Sequence, residues 1–172
     1  IHHDLYKHRT LDISSSKIYI DFLNSIELES FDNIIVVAGT NNVKPLHDIS
    51  LDDFHSLMSV NFVPSFLITT HLSQRLLNLT NPNPRSILFF GSIWSSFGIN
   101  GRSLYGTTKS ALVGFVRHAS TELRDLNCLI NVLSPGFVDT GLTSLTSSQP
   151  VIQDALRRSD NKLIDPDSLY PL

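Results

Sequence analysis

The chain has 172 residues, 41% hydrophobic and 17% charged, with 13 basic against 16 acidic side chains for a formal charge of −3. That length and balance suit one globular domain, residues 1–172, with a core that needs no disulfide or metal staple. No basic run marks a nucleic-acid binder and no apolar stretch is long enough to span a bilayer, so neither partner is expected. The single cysteine, Cys128, cannot form an internal bridge and no leader-like segment stands in the sequence, so a reducing, cytoplasmic setting is expected.

The predicted elements alternate along the chain. A weak apolar run at residues 6–11 predicts a first strand, and residues 14–26 predict a helix through Ile18, Ile20, Phe22, Leu23 and Ile26. Residues 34–38 (Ile-Ile-Val-Val-Ala) predict a strand. Ser50-Leu51-Asp52-Asp53 forms a capping-box pattern that opens a helix running to about Leu77. A strand at residues 87–90, a helix over 104–126 with apolar residues near a 3.6 period, and a strand at 129–133 complete the order. Unbroken β-branched and apolar runs suit strands buried on both faces, the pattern of a parallel sheet with helical crossovers. Residues 136–150, rich in Ser and Thr, predict a mobile loop.

In such sheets ligands gather at the carboxyl ends of the strands. Small residues follow all three main runs there: Gly39-Thr40-Asn41-Asn42, Gly91-Ser92, and Ser134-Pro135-Gly136. They either let a ligand approach the backbone or simply make turns. Tyr105-Gly106-Thr107-Thr108-Lys109 places a phenol and an ammonium four residues apart on one helix face. A cation beside a phenol favours the phenolate, which is how a tyrosine becomes a proton donor and acceptor near neutral pH. Ser92, at a strand end thirteen residues before Tyr105, strengthens that reading.

These segments together resemble the short-chain dehydrogenases/reductases, single-domain branch, in collinear order across the chain. Asn61, Ser92, Tyr105 and Lys109 stand where that family has its catalytic residues. Asp12 and Ile13 resemble a segment that contacts adenine, Ala38 and Gly39 the strand end beside the adenosine, and Pro135, Gly136, Val138 and Thr140 the segment lining the nicotinamide. The resemblance implies a Rossmann-type doubly wound parallel sheet in three α/β/α layers, bound NAD or NADP, and interconversion of a small-molecule alcohol with a ketone or aldehyde by hydride transfer. Tyr105 and Lys109 would both touch the cofactor as well as act in catalysis. The implied roles are Tyr105 as general acid/base and Lys109 as holder of the ribose and tuner of Tyr105. Ser92 would bond the substrate oxygen, and Asn61 would hold a water that relays protons to Lys109. Pro64, three residues on, removes an N–H from the helix and either loosens it beside that water or simply makes a packing kink.

Two departures stand out. The eight glycines begin at Gly39 and none forms G-x-G-x-x-G, so the family's phosphate loop is not in these residues. Val36-Val37 replaces a pair of asparagines. Matching Asp12 to the family's third strand implies that the first two strand–helix units lie upstream. Residues 164–168 resemble the helix start before the last strand, so both ends of a family member are expected to be missing and the sheet incomplete.

Trp94, Phe97, Ile99 and Leu104 are candidates for an apolar pocket wall, and residues 142–151 for a substrate lid. Small residues Gly106, Ser110, Ala111 and Gly114 suggest close helix contact in a homodimer or homotetramer. The seven histidines form no ligand set, so no metal is expected. Two rival functions are a nucleotide-sugar epimerase or dehydratase, which shares the Tyr-x-x-x-Lys pair, and a non-catalytic binding protein.

Overall fold

The structure, a computed structural model, describes residues 7–140, 153, 156–157 and 163–165. Ser15 opens α1 (Ser16–Asn24) by accepting a hydrogen bond from the Ile18 amide, and Tyr19 and Leu23 face inward one turn apart. A short turn leads to β1 (Asn33–Val36). The capping box of Ser50 and Asp53 is present in both directions and opens α2 (Leu51–Asn61). The single helix expected to run to Leu77 is instead two. The backbone leaves helical geometry at Phe62, and α3 (Val63–Leu76) restarts with Pro64 in its first turn, where the missing N–H costs nothing. Then follow β2 (Arg85–Phe90), α4 (Ser103–Arg124) and β3 (Cys128–Leu133).

The three strands form one parallel sheet in the order β1-β2-β3, with Ile34 opposite Ile87 and Ile87 opposite Ile130. The weak run before α1 is not a strand where it is described: residues 7–12 are irregular, and Leu11 and Ile13 simply lean on the core. Ile164 makes a parallel bridge with Val138, and most of the helix start expected at 164–168 lies outside the described residues.

One core holds Leu23, Leu72 and Leu76 from the helices against Ile87, Phe89 and Ile130 from the sheet. Burying each such side chain contributes roughly 2 kcal/mol. The strands are apolar on both faces, yet burial alternates along them. Ile35, Val37 and Leu129 are more than half exposed on the other side. Among the described residues the helices therefore flank one face of the sheet, giving two of the three expected layers.

Candidate active site

The site forms where the three strands end. Beyond β1, Gly39 lies so close to the interior that an added methyl group would sit 3.5 Å from Lys109 Nζ and 3.6 Å from Asn61 Oδ1. Beyond β2, the Gly91 amide donates to Leu133 O, and the Ile93 amide donates to Pro135 O at 3.2 Å. That second bond ties the Ser92 turn to the Pro135-Gly136 segment. α4 lies alongside and contributes Tyr105 and Lys109, one turn apart and both buried. Gly39, Asn61, Ser92, Tyr105, Lys109 and Pro135 are thus drawn into one region by strand ends distant in sequence.

Asn61 is 2% exposed, and its side chain makes three hydrogen bonds. Its Oδ1 accepts from the Thr40 amide at 2.8 Å, and its Nδ2 donates to Thr40 O at 3.0 Å and to Thr108 Oγ1 at 3.1 Å. The side chain therefore braces the loop after β1 against α4. The Asn61 backbone sits at the break between α2 and α3.

Ser92 Oγ accepts from the Trp94 amide, which leaves its own proton free to donate. It is hydrogen-bonded to Tyr105, an interaction that favours the phenolate, but burial outweighs it and raises the Tyr105 pKa above its ordinary value. The second influence favouring ionisation is Arg102, whose guanidinium carbon lies 5.5 Å from the Tyr105 ring centre. Lys109 Nζ is 5.9 Å from the same ring but donates to Phe90 O at 2.7 Å, and burial lowers its pKa from 10.5 to about 8. The expected cation beside the phenol is therefore shared: Arg102, which the sequence pattern did not single out, stands with Lys109.

The proposed adenine contacts, Asp12 and Ile13, take no part in this network. The Asp12 carboxylate accepts from the Ser14 amide and hydroxyl, which hold its pKa down. Val138 lies in the small ladder with Ile164, in which the Asp139 amide donates to Ile164 O and the Ile164 amide to Phe137 O. Thr140 is exposed at the last position before the undescribed stretch. The expected lid at 142–151 and most of the expected loop after 136 lie outside the described residues.

Of the expected pocket wall, Leu104 packs with Leu57 and Tyr105, and Trp94 leans on that group and meets Phe137 edge-on. Phe97 is 68% exposed and takes no such part. Ile99 lines a cavity of about 770 Å³ together with Val43, Lys44, Leu46, Asn100 and Ser103. The expected helix contact through small residues is corrected in part. A methyl at Gly106 would lie 2.9 Å from Trp94 O, and Ser110 Oγ donates to Ser95 O, so both face this chain's own turn.

Several site features support a nucleotide-like ligand at the strand ends. Gly39 leaves space beside Lys109, and Asn41 Oδ1 is buried with no partner among the described residues, an atom a ligand donor would satisfy. No residues of a phosphate-cradling glycine loop accompany them. Among the described residues there is no group of three metal-ligating side chains and no helix long and apolar enough to cross a membrane.

A parallel sheet flanked by helices, with its site at the carboxyl ends of the strands, defines a Rossmann-like α/β protein. The family described as short chain dehydrogenase matches residues 3–150, and the chain belongs to it. Curated relatives include the 3-oxoacyl-acyl-carrier-protein reductase FabG of Aquifex aeolicus (strain VF5), 27% identical over 136 residues, covering 79% of this chain and 53% of that protein. Carbonyl reductase family member 4 of Xenopus tropicalis is 32% identical over 130 residues, covering 72% of this chain and 54% of that one. The chain spans about half the length of these relatives. The fold is shared with a 4-hydroxyisoleucine dehydrogenase complexed with NADH, at TM-score 0.79 and 23% identity, covering 92% of this chain and 66% of that one. It is also shared with a structure described as an NAD(P)-dependent gluconate 5-dehydrogenase from Beutenbergia cavernae with bound NADP, at TM-score 0.82 and 19% identity, covering 95% of this chain and 66% of that one. These relatives are reductases and dehydrogenases, and the epimerase alternative finds no support among them.

Proposed function

We propose that the chain carries the catalytic part of an NAD- or NADP-dependent oxidoreductase that interconverts a small-molecule alcohol with its ketone or aldehyde. The observation that carries this reading is the burial of Ser92, Tyr105 and Lys109 together at the ends of parallel strands. A nicotinamide cofactor, when bound, supplies the hydride. Tyr105 donates its phenolic proton to the substrate oxygen as the carbon is reduced. Ser92 donates a hydrogen bond to the same oxygen and stabilises its developing charge. Lys109 reaches the space beside Gly39, where a ribose hydroxyl would stand, and Asn61 fixes the loop that bounds it. Pro135, Gly136, Val138 and Thr140 form the nicotinamide side of the proposed site, with Ala38 and Gly39 beside the adenosine and Asp12 and Ile13 toward the adenine. The cofactors in the similar structures, NADH in one and NADP in the other, support a nicotinamide dinucleotide without choosing between them.

A homodimer or homotetramer and a cytoplasmic setting belong to the same proposal. The partly exposed Phe66, packed near Phe62 and Phe115 on α3 and α4, offers an apolar surface for self-association. The test is reduction of a ketone and aldehyde panel by the 172-residue chain, followed as loss of NADH or NADPH absorbance. Turnover that falls at least about a hundredfold in Tyr105→Phe supports the reading. Saturable nicotinamide fluorescence with no turnover on any carbonyl would instead favour a non-catalytic binding protein.

A further inference from the structure

Arg102 occupies an unfavourable position for its charge. It is the residue immediately before α4, where Ser, Thr, Asp or Asn usually caps and where the helix dipole is positive. It makes no side-chain capping bond there, and it is only 6% exposed. A buried cation at the positive end of a 22-residue helix contradicts three local preferences at once. Such departures concentrate where a site needs them. The ring of Tyr105, one turn on, lies beside the charge, with the guanidinium carbon 5.5 Å from its centre.

We infer that Arg102 is a positioning residue for the chemistry at Tyr105: its guanidinium, buried over the phenol, is the fixed positive charge against which the phenolate forms. The inference rests on the proposed role of Tyr105 for its consequence. When Tyr105 gives its proton to a substrate oxygen, the negative charge left on the phenol is faced by Arg102 until a proton returns from solvent.

The division of labour with Lys109 follows from burial. Lys109 is desolvated to a pKa of about 8 and its ammonium is directed at the Phe90 carbonyl, so it loses its charge as the solution turns alkaline. Arg102 is also lowered by burial and supported in return by Tyr105. A guanidinium starts from so high a value that it stays charged throughout. Among the described residues the other groups packed on Tyr105 are uncharged: Leu57 comes from α2, Ser92 and Trp94 from the turn after β2. Asp53, at the start of α2, is committed to Lys44, Asn42 and Ser50.

The test needs neither substrate nor cofactor. The chain is labelled with 3-fluorotyrosine, and the fluorine resonance of residue 105, assigned by its loss in Tyr105→Phe, is followed with pH. Arg102→Gln is expected to raise the ionisation midpoint of residue 105 by about one pH unit, a tenfold weaker acid, while the other tyrosines stay put. Arg102→Lys should recover part of the difference. Coincident midpoints for Arg102 and Arg102→Gln would overturn the inference. If Arg102→Gln does not fold, Lys109→Met decides it. With Arg102 intact the midpoint should not move, and a one-unit rise there would assign the effect to Lys109 instead. A chain that reduces no carbonyl yet shows the Arg102 shift would sink the proposed function and leave this inference standing.

Discussion

Thr40 and Asn61 are paired reciprocally: the Thr40 amide donates to the Asn61 side-chain oxygen, and the Asn61 side-chain amide donates back to the Thr40 carbonyl. The asparagine thus completes the backbone pairing of a loop that has left the sheet. Asn61→Ala should strip both groups of their partners and free Thr108 as well, at a cost of about 2–4 kcal/mol. Urea midpoints would measure the loss. Hydrogen exchange would check its location, because protection of the Thr40 amide should fall while that of α4 amides is retained.

Lys109 makes stability depend on alkalinity. Its folded pKa, about 8, lies below the ordinary 10.5, so the unfolded chain binds the extra proton between those values. Stability therefore rises with pH across that window and is lost as pH falls through 8. The depression corresponds to about 3 kcal/mol at most. Compared with Lys109→Met, which has nothing to titrate, the native chain should gain up to that amount in relative stability between pH 8 and 10.5. Parallel denaturant curves for the two chains across that range would show it, and a constant gap would exclude it.

Ser92 supports the phenolate of Tyr105 through a hydrogen bond. Removing it in Ser92→Ala should raise the ionisation midpoint of Tyr105 further above the ordinary phenol value. In the proposed reaction the same change should lower kcat more than it raises KM, because the bond to the substrate oxygen strengthens as charge develops. A change in KM alone would mean that Ser92 serves binding only.

Gly91 lies where β2 gives way to the Ser92 turn, and an added methyl would meet Ser134 Oγ at 2.5 Å and Val132 Cγ1 at 2.8 Å. Gly91→Ala should destabilise by about 1–3 kcal/mol through overpacking. Val132→Ala combined with Ser134→Gly removes both obstructing atoms. The triple variant should therefore be less destabilised than the sum of its parts, as thermal unfolding would report.

The strand runs, the capping box and the Tyr105–Lys109 spacing were legible in the sequence because each is a local pattern. Ser50 and Asp53 are three residues apart and satisfy each other without help from the rest of the fold. The break at Phe62 was only half legible: Pro64 announced a disturbance, but its placement inside the first turn of a new helix needed tertiary packing. Arg102 carried no signal, since its role depends on a ring contact and on burial that composition and periodicity do not record. The exposed sheet face agrees with the incomplete sheet expected from the sequence: Ile35 and Leu129 have the composition of doubly buried strands, and among the described residues only one face is covered.

The contact between Gly106 and the Trp94 carbonyl has a consequence for how substrate preference can change. Backbone meets backbone there, with no side chain between to flex, so the spacing of Ser92 from Tyr105 is set by a rigid stop. Beyond that stop Phe97 and Gly98 are exposed, while Ile99, Asn100 and Gly101 border the cavity, Gly101 held by its positive φ and by the Lys44 amide. In the proposed reaction the exposed residues of this stretch could be exchanged for a new substrate while the Ser92–Tyr105 spacing is kept. Acid–base chemistry and molecular recognition in that reaction would in this way be separately tunable between Ser92 and Tyr105.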